Sequence, residues 1–514
     1  MNRRAVINVI SLLLMIFCTG MLASAIVSAC CASGTKGQVE HFFLSAFITF
    51  LPGFLGFFFT RRRRGESEFK TGLRDGFCAV AFAWLIAIFL GSLPFYLIGK
   101  FRLVDAIFET ASGLTTTGAS VIDSSLALRN GQILTGGLES LPTGLLFWRS
   151  LLNWFGGVGI VFFVLLVLPL LNLGKGSQLY NAEMPGLKTS DDRLTPRLKS
   201  SVHLLIGIYL LLTLLTTALY CLGGMTIFEA VCHAFSTVST GGFSTRAESF
   251  GAFPSPFLQW SAIAMMFLCS CNFALTIRLF TERHFVFHKD EEFRFYTIQV
   301  LCCILLVFIV LLVGKVLPVD GEAGVLRQAE QALRAACFQV VSLSSTTGFS
   351  NCDYMQWNLP VTLVLFTIVM IPCGCGGSTA GGLKISRLLL LLKGTAYEIK
   401  HCLFPHTLRD IRLNGHRVDD SLLNKTMAFA QLYFFLFLIG TALLVCLDLD
   451  LKTSFSASLS CIGNIGPAFG TLGPACSYGW LPAIAKYVLS ILMLVGRLEL
   501  YTIFVLFLPS FWKR

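Results

Sequence analysis

Four short stretches of the chain combine small polar residues with a glycine, and these residue types could bind a dehydrated alkali cation. Their candidate residues are Thr115, Thr116, Thr117 and Gly118; Ser239, Thr240, Gly241 and Gly242; Ser345, Thr346, Thr347 and Gly348; and Asn464, Ile465 and Gly466. Rings of carbonyl and hydroxyl oxygens can replace the hydration shell of such a cation. None of these residues is Asp or Glu, so the stretches suit a monovalent cation better than Ca²⁺.

The four stretches end windows of equal length, and this spacing predicts one repeated structural unit. The windows are Asp105–Gly118, Glu229–Gly242, Ala335–Gly348 and Thr453–Gly466. Each begins with a short helix-like segment and becomes small and polar just before its glycine. A single loop of this kind would be an ordinary Gly/Thr turn between helices. Four of them at the same place in a repeated order of elements favour a fourfold device.

The composition places these loops in a membrane. The chain has 514 residues, of which 55% are hydrophobic and 13% charged, and its mean hydropathy is +0.75. Several apolar runs reach the length of about 20 residues that a helix needs to cross a bilayer. The short alternating strands of a membrane β-barrel are not seen. The sequence therefore predicts an all-α polytopic membrane protein.

We expect four membrane-pore-membrane repeats around one pseudo-fourfold pore, preceded by two extra N-terminal transmembrane helices. The predicted bounds are 1–66 for the N-terminal pair, 67–198 for repeat 1, 199–288 for repeat 2, 289–400 for repeat 3 and 401–514 for repeat 4. Each repeat is predicted to contain a spanning helix, a short re-entrant helix, the polar loop and a second spanning helix. These lie at about 75–99, 105–114, 115–120 and 144–171; about 200–222, 227–238, 239–244 and 256–280; about 295–317, 330–343, 344–350 and 358–395; and about 425–447, 453–462, 463–470 and 481–508.

A segment too short to span the bilayer must re-enter from one face, and its irregular backbone must then lie inside the protein or along a watery path. Glycine allows the backbone to turn its carbonyl groups inward because it readily adopts positive φ. Each short helix would also direct its partly negative C-terminal end at the same axis. These requirements predict that the four loops surround a cation pathway.

The N-terminal helices are expected at about 5–29 and 42–60. The first of them resembles a bacterial lipoprotein signal that ends near Cys30. Its apolar run is longer than a usual signal core, which favours a retained helix.

Basic loops predict the orientation of the chain. Arg61–Arg64 and the joins between repeats at Tyr180–Arg197, Arg283–Arg294 and Lys393–Leu423 all carry Lys or Arg. Short basic loops remain in the cytoplasm, so we expect both termini on the cytoplasmic side of a bacterial inner membrane. The net charge of +11 is explained by these loops and does not indicate nucleic-acid binding.

The 18 cysteines lack the paired spacing of a metal site. They are predicted to pack as small apolar groups, and no covalently bound cofactor is expected.

Two features lie beyond the loops. Met370–Lys384 interrupts the second helix of repeat 3 with a proline and five glycines, and it is either a harmless kink or a movable gate. The candidate residues of this gate segment (370–384) are Gly374, Gly376, Gly377, Ser378, Thr379, Ala380, Gly381, Gly382 and Lys384. Lys384 fits either the gate or an anchor at the cytosolic surface. Arg497 lies inside the last apolar stretch, where an arginine faces a cavity or pairs with a carboxylate on another helix.

The motifs resemble those of the bacterial Trk/Ktr potassium-transporter superfamily, and specifically its TrkH/TrkG membrane subunits. They are Ser112-Gly-Leu-Thr-Thr-Thr-Gly-Ala-Ser120, Phe235-Ser-Thr-Val-Ser-Thr-Gly-Gly-Phe-Ser244, Thr346-Thr-Gly-Phe-Ser350, Gly463-Asn-Ile-Gly-Pro467, Tyr180-Asn-Ala-Glu-Met-Pro-Gly186, Leu194-Thr-Pro-Arg197, Gly496-Arg-Leu-Glu-Leu-Tyr-Thr502 and Pro509-Ser-Phe-Trp512. The resemblance runs the full length and includes the two extra N-terminal helices.

This resemblance implies K⁺ uptake through a selectivity filter made of the fifteen loop residues named above. It also implies an intramembrane gate loop at 370–384, a positive barrier at Arg497 beneath the filter, a homodimer embedded in membrane lipid and a cytosolic TrkA-type nucleotide-binding regulatory subunit. The fourth loop departs from the Thr-rich pattern, as it does in the family.

Two other functions were compared with K⁺ uptake. One is transport of Na⁺, or poorly selective transport of monovalent cations. Glycine at all four key positions favours K⁺, because the resemblance links a serine at one of them to weaker selectivity. The other is a polytopic membrane enzyme, which would need a buried nucleophile and base or a set of carboxylates with a metal. Paired Asp or His residues are not found inside the apolar runs, so we do not expect an enzyme.

Overall fold

The computed structural model describes residues 2–31, 36–61, 72–171, 194–282, 287–314, 325–406 and 410–513. These parts of the chain are almost entirely helical, which confirms the predicted class. The only strands that they contain are two short pairs. Pro372–Cys373 pairs in parallel with Leu383–Lys384, and Arg412–Leu413 pairs antiparallel with His416–Arg417.

Two N-terminal helices pack along each other before the repeats begin. They cover Arg3–Cys30 and Lys36–Thr60. Repeat 1 then contains helices Leu73–Gly91, Leu93–Leu97, Leu103–Leu114 and Thr143–Leu171, and repeat 2 contains Leu194–Leu222, Ile227–Val238, Pro256–Ser270 and Phe273–Glu282. Repeat 3 contains Glu291–Gly314, Val325–Ser344, Pro360–Met370 and Ile385–Leu403, and repeat 4 contains Asp420–Val445, Leu451–Gly463, Ala483–Arg497, Tyr501–Phe504 and Pro509–Trp512. Short 3₁₀ turns lie at Gly137–Ser140, Ser249–Ala252, Phe287–Lys289, Tyr354–Trp357, Gly470–Leu472 and Val505–Phe507.

The repeats pack as a closed ring. We call the short helix before each polar loop a half-helix; the four half-helices are Leu103–Leu114, Ile227–Val238, Val325–Ser344 and Leu451–Gly463. The second helix of each repeat packs on the half-helix of the next repeat, and the second helix of repeat 4 packs on the half-helix of repeat 1. Four covalently linked units therefore enclose one axis.

Two of the predicted second helices are wrong as continuous spans. The helix expected at 256–280 bends by 105° between Ser270 and Phe273, and the helix expected at 481–508 bends by 106° after Arg497. At the first bend Asn272 accepts a hydrogen bond from Ala274 N at 2.8 Å and starts a new helix. At the second bend Glu499 and Leu500 have φ values of 58° and 35°. The third half-helix also begins earlier than expected, at Val325.

Within the described residues, six helices are long and apolar enough to cross a membrane, or up to eight if each bent pair forms one span. Pro360–Met370 is apolar but too short to span alone. Several charges that predicted the orientation, namely Arg62–Arg64, the join 180–193 and residues 283–286, lie outside the described residues. The orientation of the termini therefore stays a prediction.

Candidate cation pathway

The four half-helices end in loops that share one backbone conformation. We call residues 115–118, 239–242, 345–348 and 463–466 loops 1 to 4. The residue two positions before each key glycine is left-handed, with φ of 52° at Thr116, 54° at Thr240, 57° at Thr346 and 54° at Asn464. The glycines Gly118, Gly242, Gly348 and Gly466 have φ of 84°, 71°, 76° and 104°. Loop 4 adopts this conformation although its sequence lacks threonine.

The same hydrogen bond closes each loop onto its half-helix. The residue before each glycine donates its backbone N–H to the carbonyl of a serine five positions earlier. The donor–acceptor distances are 2.9 Å from Thr117 to Ser112, 2.7 Å from Gly241 to Ser236, 3.0 Å from Thr347 to Ser342 and 2.9 Å from Ile465 to Ser460. This turn satisfies carbonyls at the end of the half-helix and fixes the direction of the chain beyond it.

Each key glycine packs against a backbone carbonyl of the next loop. A Cβ atom built on Gly118 would lie 2.6 Å from the carbonyl oxygen of Gly241 in loop 2, and one on Gly242 would lie 1.9 Å from that of Thr347 in loop 3. A Cβ on Gly348 would lie 2.0 Å from the oxygen of Ile465 in loop 4, and one on Gly466 would lie 2.5 Å from that of Thr117 in loop 1. Each glycine thus abuts the carbonyl of the next loop, and the order 1–2–3–4–1 closes a ring.

The carbonyl oxygens in this ring are buried and accept no hydrogen bond from the described part of the chain. This holds in each loop for the two residues before the key glycine: Thr116, Thr117, Thr240, Gly241, Thr346, Thr347, Asn464 and Ile465. Buried backbone carbonyls are nearly always paired. A ring of unpaired oxygens is therefore a site for a cation or for water.

The side chains of the loops mainly brace the backbone. The hydroxyls of Thr115 and Thr117 lie 2.7 Å apart, as do those of Ser345 and Thr347. Asn464 Nδ2 donates to Thr117 Oγ1 at 3.1 Å and ties loop 4 to loop 1. Thr116 Oγ1 and Asn464 Oδ1 are buried and have no partner in the described residues, so they are further oxygens that could bind a cation.

A polar cavity of about 860 Å³ opens on one side of the ring, and all four key glycines line it. Its wall also carries Asp123, Glu139, Arg149, Arg246 and Glu248. A hydrated cation in this cavity would reach every loop at once, which makes the cavity the vestibule of the pathway.

The gate segment contacts loops 3 and 4 and the residue that precedes loop 2. Gly381 N donates to Thr346 Oγ1 in loop 3 at 2.8 Å, and Thr379 Oγ1 donates to the carbonyl of Val238, which precedes loop 2, at 3.1 Å. A Cβ on Gly381 would lie 2.6 Å from the carbonyl oxygen of Gly463 in loop 4. The polar residues of the gate segment, Ser378 and Thr379, are buried. The other predicted gate residues in this segment are Gly374, Gly376, Gly377, Ala380 and Gly382.

Arg497 reaches the gate segment from the end of the second helix of repeat 4. Its Nη1 donates to the carbonyl of Thr379 at 2.7 Å, and its Nη2 donates to that of Gly156 at 3.2 Å. The residue is only 2% exposed. No carboxylate pairs with it among the described residues, so the alternative of a buried ion pair is not supported. Glu499 pairs with Arg387 instead.

The sequence profile of the TrkH family, described as a cation transport protein, matches residues 40–514. The chain belongs to the TrkH family. It is 35% identical over 521 residues to the Trk system potassium uptake protein TrkH of Vibrio parahaemolyticus, with full coverage of both chains. It is 33% identical over 475 residues to the Trk system potassium uptake protein TrkG of Escherichia coli, covering 91% of each. The crystal structure of the potassium transporter TrkH from Vibrio parahaemolyticus superposes with a TM-score of 0.84, at 32% identity and full coverage of both chains.

Membership in the TrkH family makes this chain a multi-pass membrane transport protein and not an enzyme. All fifteen loop residues predicted from the sequence lie in the ring of loops. The predicted gate residues lie against that ring, and Arg497 contacts them. Lys384 is partly buried and donates to the carbonyl of Ala380, so its side chain contacts the gate segment.

One set of bracing residues in this TrkH-family chain was missed by the sequence analysis. The side chain nine positions before the key glycine contacts the serine two positions after it in repeats 1 to 3. The distances are 3.0 Å for Glu109 and Ser120, 2.9 Å for His233 and Ser244, and 3.0 Å for Gln339 and Ser350. Repeat 4 has Ala457 and Ala468 at these positions, so both partners are apolar there and no polar group is left unpaired. The equal spacing in the aligned windows could have revealed this contact.

A buried ion pair within repeat 1 also contacts repeat 2 beside the vestibule. Arg149 Nε lies 2.6 Å from Glu109 Oε1, and both side chains are almost fully buried. Arg149 Nη1 also donates to the carbonyl of Ser244 at 2.7 Å, and its guanidinium lies 3.5 Å from the ring centroid of Phe243. The pair therefore links half-helix 1 to the residues that follow loop 2.

Replacing Arg149 with methionine should lower the stability of the folded protein by about 3–5 kcal/mol, because it leaves the Glu109 carboxylate buried without its partner. The midpoint of thermal aggregation in detergent would measure this loss. The double variant Arg149→Met with Glu109→Gln removes the lone charge and should recover part of the stability. An Arg149→Met protein as stable as the wild type would show that the pair does not stabilise the ring.

Proposed function

We propose that this protein takes up K⁺ across the bacterial inner membrane along the axis enclosed by the four loops. The observation that carries the proposal is the closed ring of buried carbonyl oxygens, to which no group in the described residues donates a hydrogen bond and beside which the polar vestibule opens. The relatives that match 91–100% of the chain are named potassium uptake proteins, and this supports K⁺ as the cargo.

The ring selects a monovalent cation by replacing its water. The ion leaves the vestibule, loses its hydration shell and is coordinated by the carbonyl oxygens of loops 1 to 4. The half-helices direct their partly negative C-terminal ends at the same point and add attraction without a formal charge. The oxygens of the ring are neutral backbone carbonyls. Because each key glycine touches the carbonyl of the next loop, these contacts between loops fix the diameter of the ring.

The gate segment and Arg497 close the pathway beneath the ring. The segment contacts loops 3 and 4 and the end of the half-helix before loop 2, and the Arg497 guanidinium adds a buried positive charge beside Thr379. A cation that has passed the ring therefore meets both a steric and an electrostatic barrier. Uptake requires the segment to move aside.

The surrounding organisation stays as predicted from the sequence. We propose a homodimer in membrane lipid with both termini in the cytoplasm, regulated by a cytosolic TrkA-type nucleotide-binding subunit. That subunit would act on the gate from the cytoplasmic side.

Uptake of radioactive Rb⁺ into liposomes, with K⁺ or Na⁺ as competitor, tests this function. We expect K⁺ to inhibit Rb⁺ uptake and Na⁺ to inhibit it only weakly. Equal inhibition by both ions would favour the alternative of a poorly selective cation transporter. Absence of uptake even with a TrkA-type subunit present would contradict the proposal.

Replacing Arg497 with alanine should raise Rb⁺ flux roughly tenfold, since it removes a charged hydrogen bond to Thr379 worth about 1.5–3 kcal/mol. It also removes the positive charge that a cation must pass. Arg497→Lys keeps the charge and should remain closer to the wild type. Unaltered flux and K⁺ affinity in Arg497→Ala would count against a barrier at this position.

A further inference from the structure

A single side chain, that of Glu292, ties the gate segment to the helix that follows it. Glu292 Oε1 accepts hydrogen bonds from Gly376 N at 2.6 Å and from Ser386 N at 2.9 Å. Gly376 lies near the middle of the segment and three residues after the strand Pro372–Cys373, and Ser386 lies in the first turn of the helix that follows the segment. The partly positive end of that helix favours a negative group at this place. Glu292 is 2% exposed, so water does not compete for these bonds.

The two ends of the gate segment pair with each other close to Glu292. Pro372–Cys373 pairs with Leu383–Lys384, and Ile385 N donates to the carbonyl of Gly374 at 3.3 Å. Residues between the two strands therefore form a closed loop whose base is held by the strand pair and by Glu292. Opening the loop requires one of these contacts to break.

Glu292 sits at the start of the helix Glu291–Gly314, and a small hairpin fixes that start. The hairpin pairs Arg412–Leu413 with His416–Arg417 and turns at Asn414 and Gly415. Asn414 Oδ1 accepts from Glu291 N at 2.8 Å, and Asn414 Nδ2 donates to Asp290 Oδ2 at 2.9 Å. The hairpin tip thus contacts the two residues immediately before Glu292.

The hairpin also packs on the helix that leaves the gate segment. Ile411 and Leu413 are buried in one apolar cluster with Leu389 and Leu390 of the helix Ile385–Leu403. Lys393 of that helix donates to Arg412 O at 2.7 Å and pairs with Glu291. The other face of the hairpin is exposed. The hairpin, the start of the helix Glu291–Gly314 and the base of the gate segment are therefore connected, and the hairpin is exposed on its outer face.

We propose that Glu292 is a positioning residue that holds the gate segment in place, and that the Arg412–Arg417 hairpin, in the join that we expect on the cytoplasmic side, sets the position of Glu292. A force on the hairpin then reaches the gate through Asp290, Glu291 and Glu292. The inference rests on the proposed function, because it takes the segment 370–384 to be the gate.

The test compares Glu292→Met, Glu292→Gln and Asn414→Gly in the full-length protein, using Rb⁺ flux in liposomes. Methionine removes the acceptor at similar size, glutamine keeps one neutral acceptor oxygen, and glycine keeps the positive φ of Asn414 without its side chain. We expect flux to rise about fivefold in Glu292→Met and less in the other two. The double variant Glu292→Met with Asn414→Gly should not exceed Glu292→Met, since both changes act through one contact. Asn424→Ala, at an exposed position of the helix Asp420–Val445 outside the hairpin, is the control and should leave flux unchanged.

A second readout follows the gate segment itself. Cys373 and Cys375 lie in the segment and are buried, so their alkylation by N-ethylmaleimide, resolved by peptide mass spectrometry, reports how tightly it is held. We expect alkylation to be about fivefold faster in Glu292→Met, in proportion to the more frequent release of the segment. Only variants that elute like the wild type in gel filtration are compared. If Glu292→Met does not elute like the wild type, alkylation is measured in Glu292→Gln instead.

The outcomes separate the claims. Unchanged alkylation in a folded Glu292 variant overturns the positioning role. Faster alkylation with unchanged flux upholds that role and shows that the segment is not the gate, so the proposed function fails separately. Additive effects of Glu292→Met and Asn414→Gly overturn the part of the proposal that gives the hairpin control over Glu292.

Discussion

Gly348→Ser is expected to lower the preference for K⁺ over Na⁺ by about tenfold or more, while Rb⁺ still passes. A Cβ at this position would lie 2.0 Å from the carbonyl oxygen of Ile465 and 2.8 Å from Pro467 Cδ, so loops 3 and 4 must separate. The residue also has φ of 76°, a conformation that costs a non-glycine residue about 1–2 kcal/mol. A free-energy change of about 1.4 kcal/mol in ion coordination corresponds to a factor of ten in selectivity.

Gly224→Ser is the matched control for this substitution. Gly224 has φ of 100° but nothing within 4 Å of the added Cβ, so serine there creates backbone strain without crowding a carbonyl. Competition of Rb⁺ uptake by K⁺ and Na⁺ would measure selectivity in both variants. Unchanged selectivity in Gly348→Ser, or an equal loss in Gly224→Ser, would mean that contact between the loops does not set the preference for K⁺.

Deletion of Gly374–Gly382 should raise Rb⁺ flux by about tenfold or more. It removes the part of the gate segment that contacts Thr346, Val238 and Arg497 and leaves the ring of loops intact. If the closed state is favoured by about 1.4 kcal/mol, only about one molecule in ten is open at any time. Without the gate all molecules conduct, so flux rises about tenfold. Flux is measured in liposomes at equal protein content.

The deletion and the serine substitution should change different quantities. The deletion should raise flux and leave the order of K⁺ over Na⁺ as in the wild type, because the loops keep the serine hydrogen bonds that close them onto their half-helices. Flux that stayed unchanged or fell, in protein that is folded and monodisperse, would refute the gate.

The loops could be predicted from the sequence because one physical requirement recurs four times. A chain that ends a half-helix and turns its carbonyls inward needs a left-handed residue and then a glycine, and this leaves a pattern of small residues at fixed spacing. Asn464 shows how far the pattern extends: asparagine tolerates the left-handed conformation, so loop 4 folds like the others without threonine.

The bend between Ser270 and Phe273 was not predicted because part of what stabilises it lies elsewhere in the chain. Ser270 and Asn272 are polar residues in a mostly apolar stretch long enough for an unbroken span, and they do not by themselves indicate a break. The backbone groups freed at the bend are satisfied by the gate segment, since Cys375 N donates to Ser270 O at 2.9 Å and Phe273 N donates to Gly377 O at 3.2 Å. Only the packed structure provides these partners.

The order in which the loops contact one another also could not be predicted from the sequence. The repeat spacing predicts that four loops meet, but not which glycine touches which carbonyl. The contact of Gly466 with Thr117 joins the last repeat to the first, and the hydrogen bond from Tyr478 N to Ser120 O at 2.8 Å supports the same junction. Glu292 was missed because its partners are backbone amides far along the chain, which no spacing of side chains reveals.

The most direct test of the account is to locate the ion. Crystals of the protein grown in Rb⁺ and measured at the rubidium absorption edge would show where the ion binds. We expect anomalous peaks on the axis, within coordination distance of the carbonyl oxygens of Thr117, Gly241, Thr347 and Ile465. Peaks confined to the vestibule beside Glu139 or Glu248, with none between the loops, would contradict the claim that these carbonyls form the ion pathway.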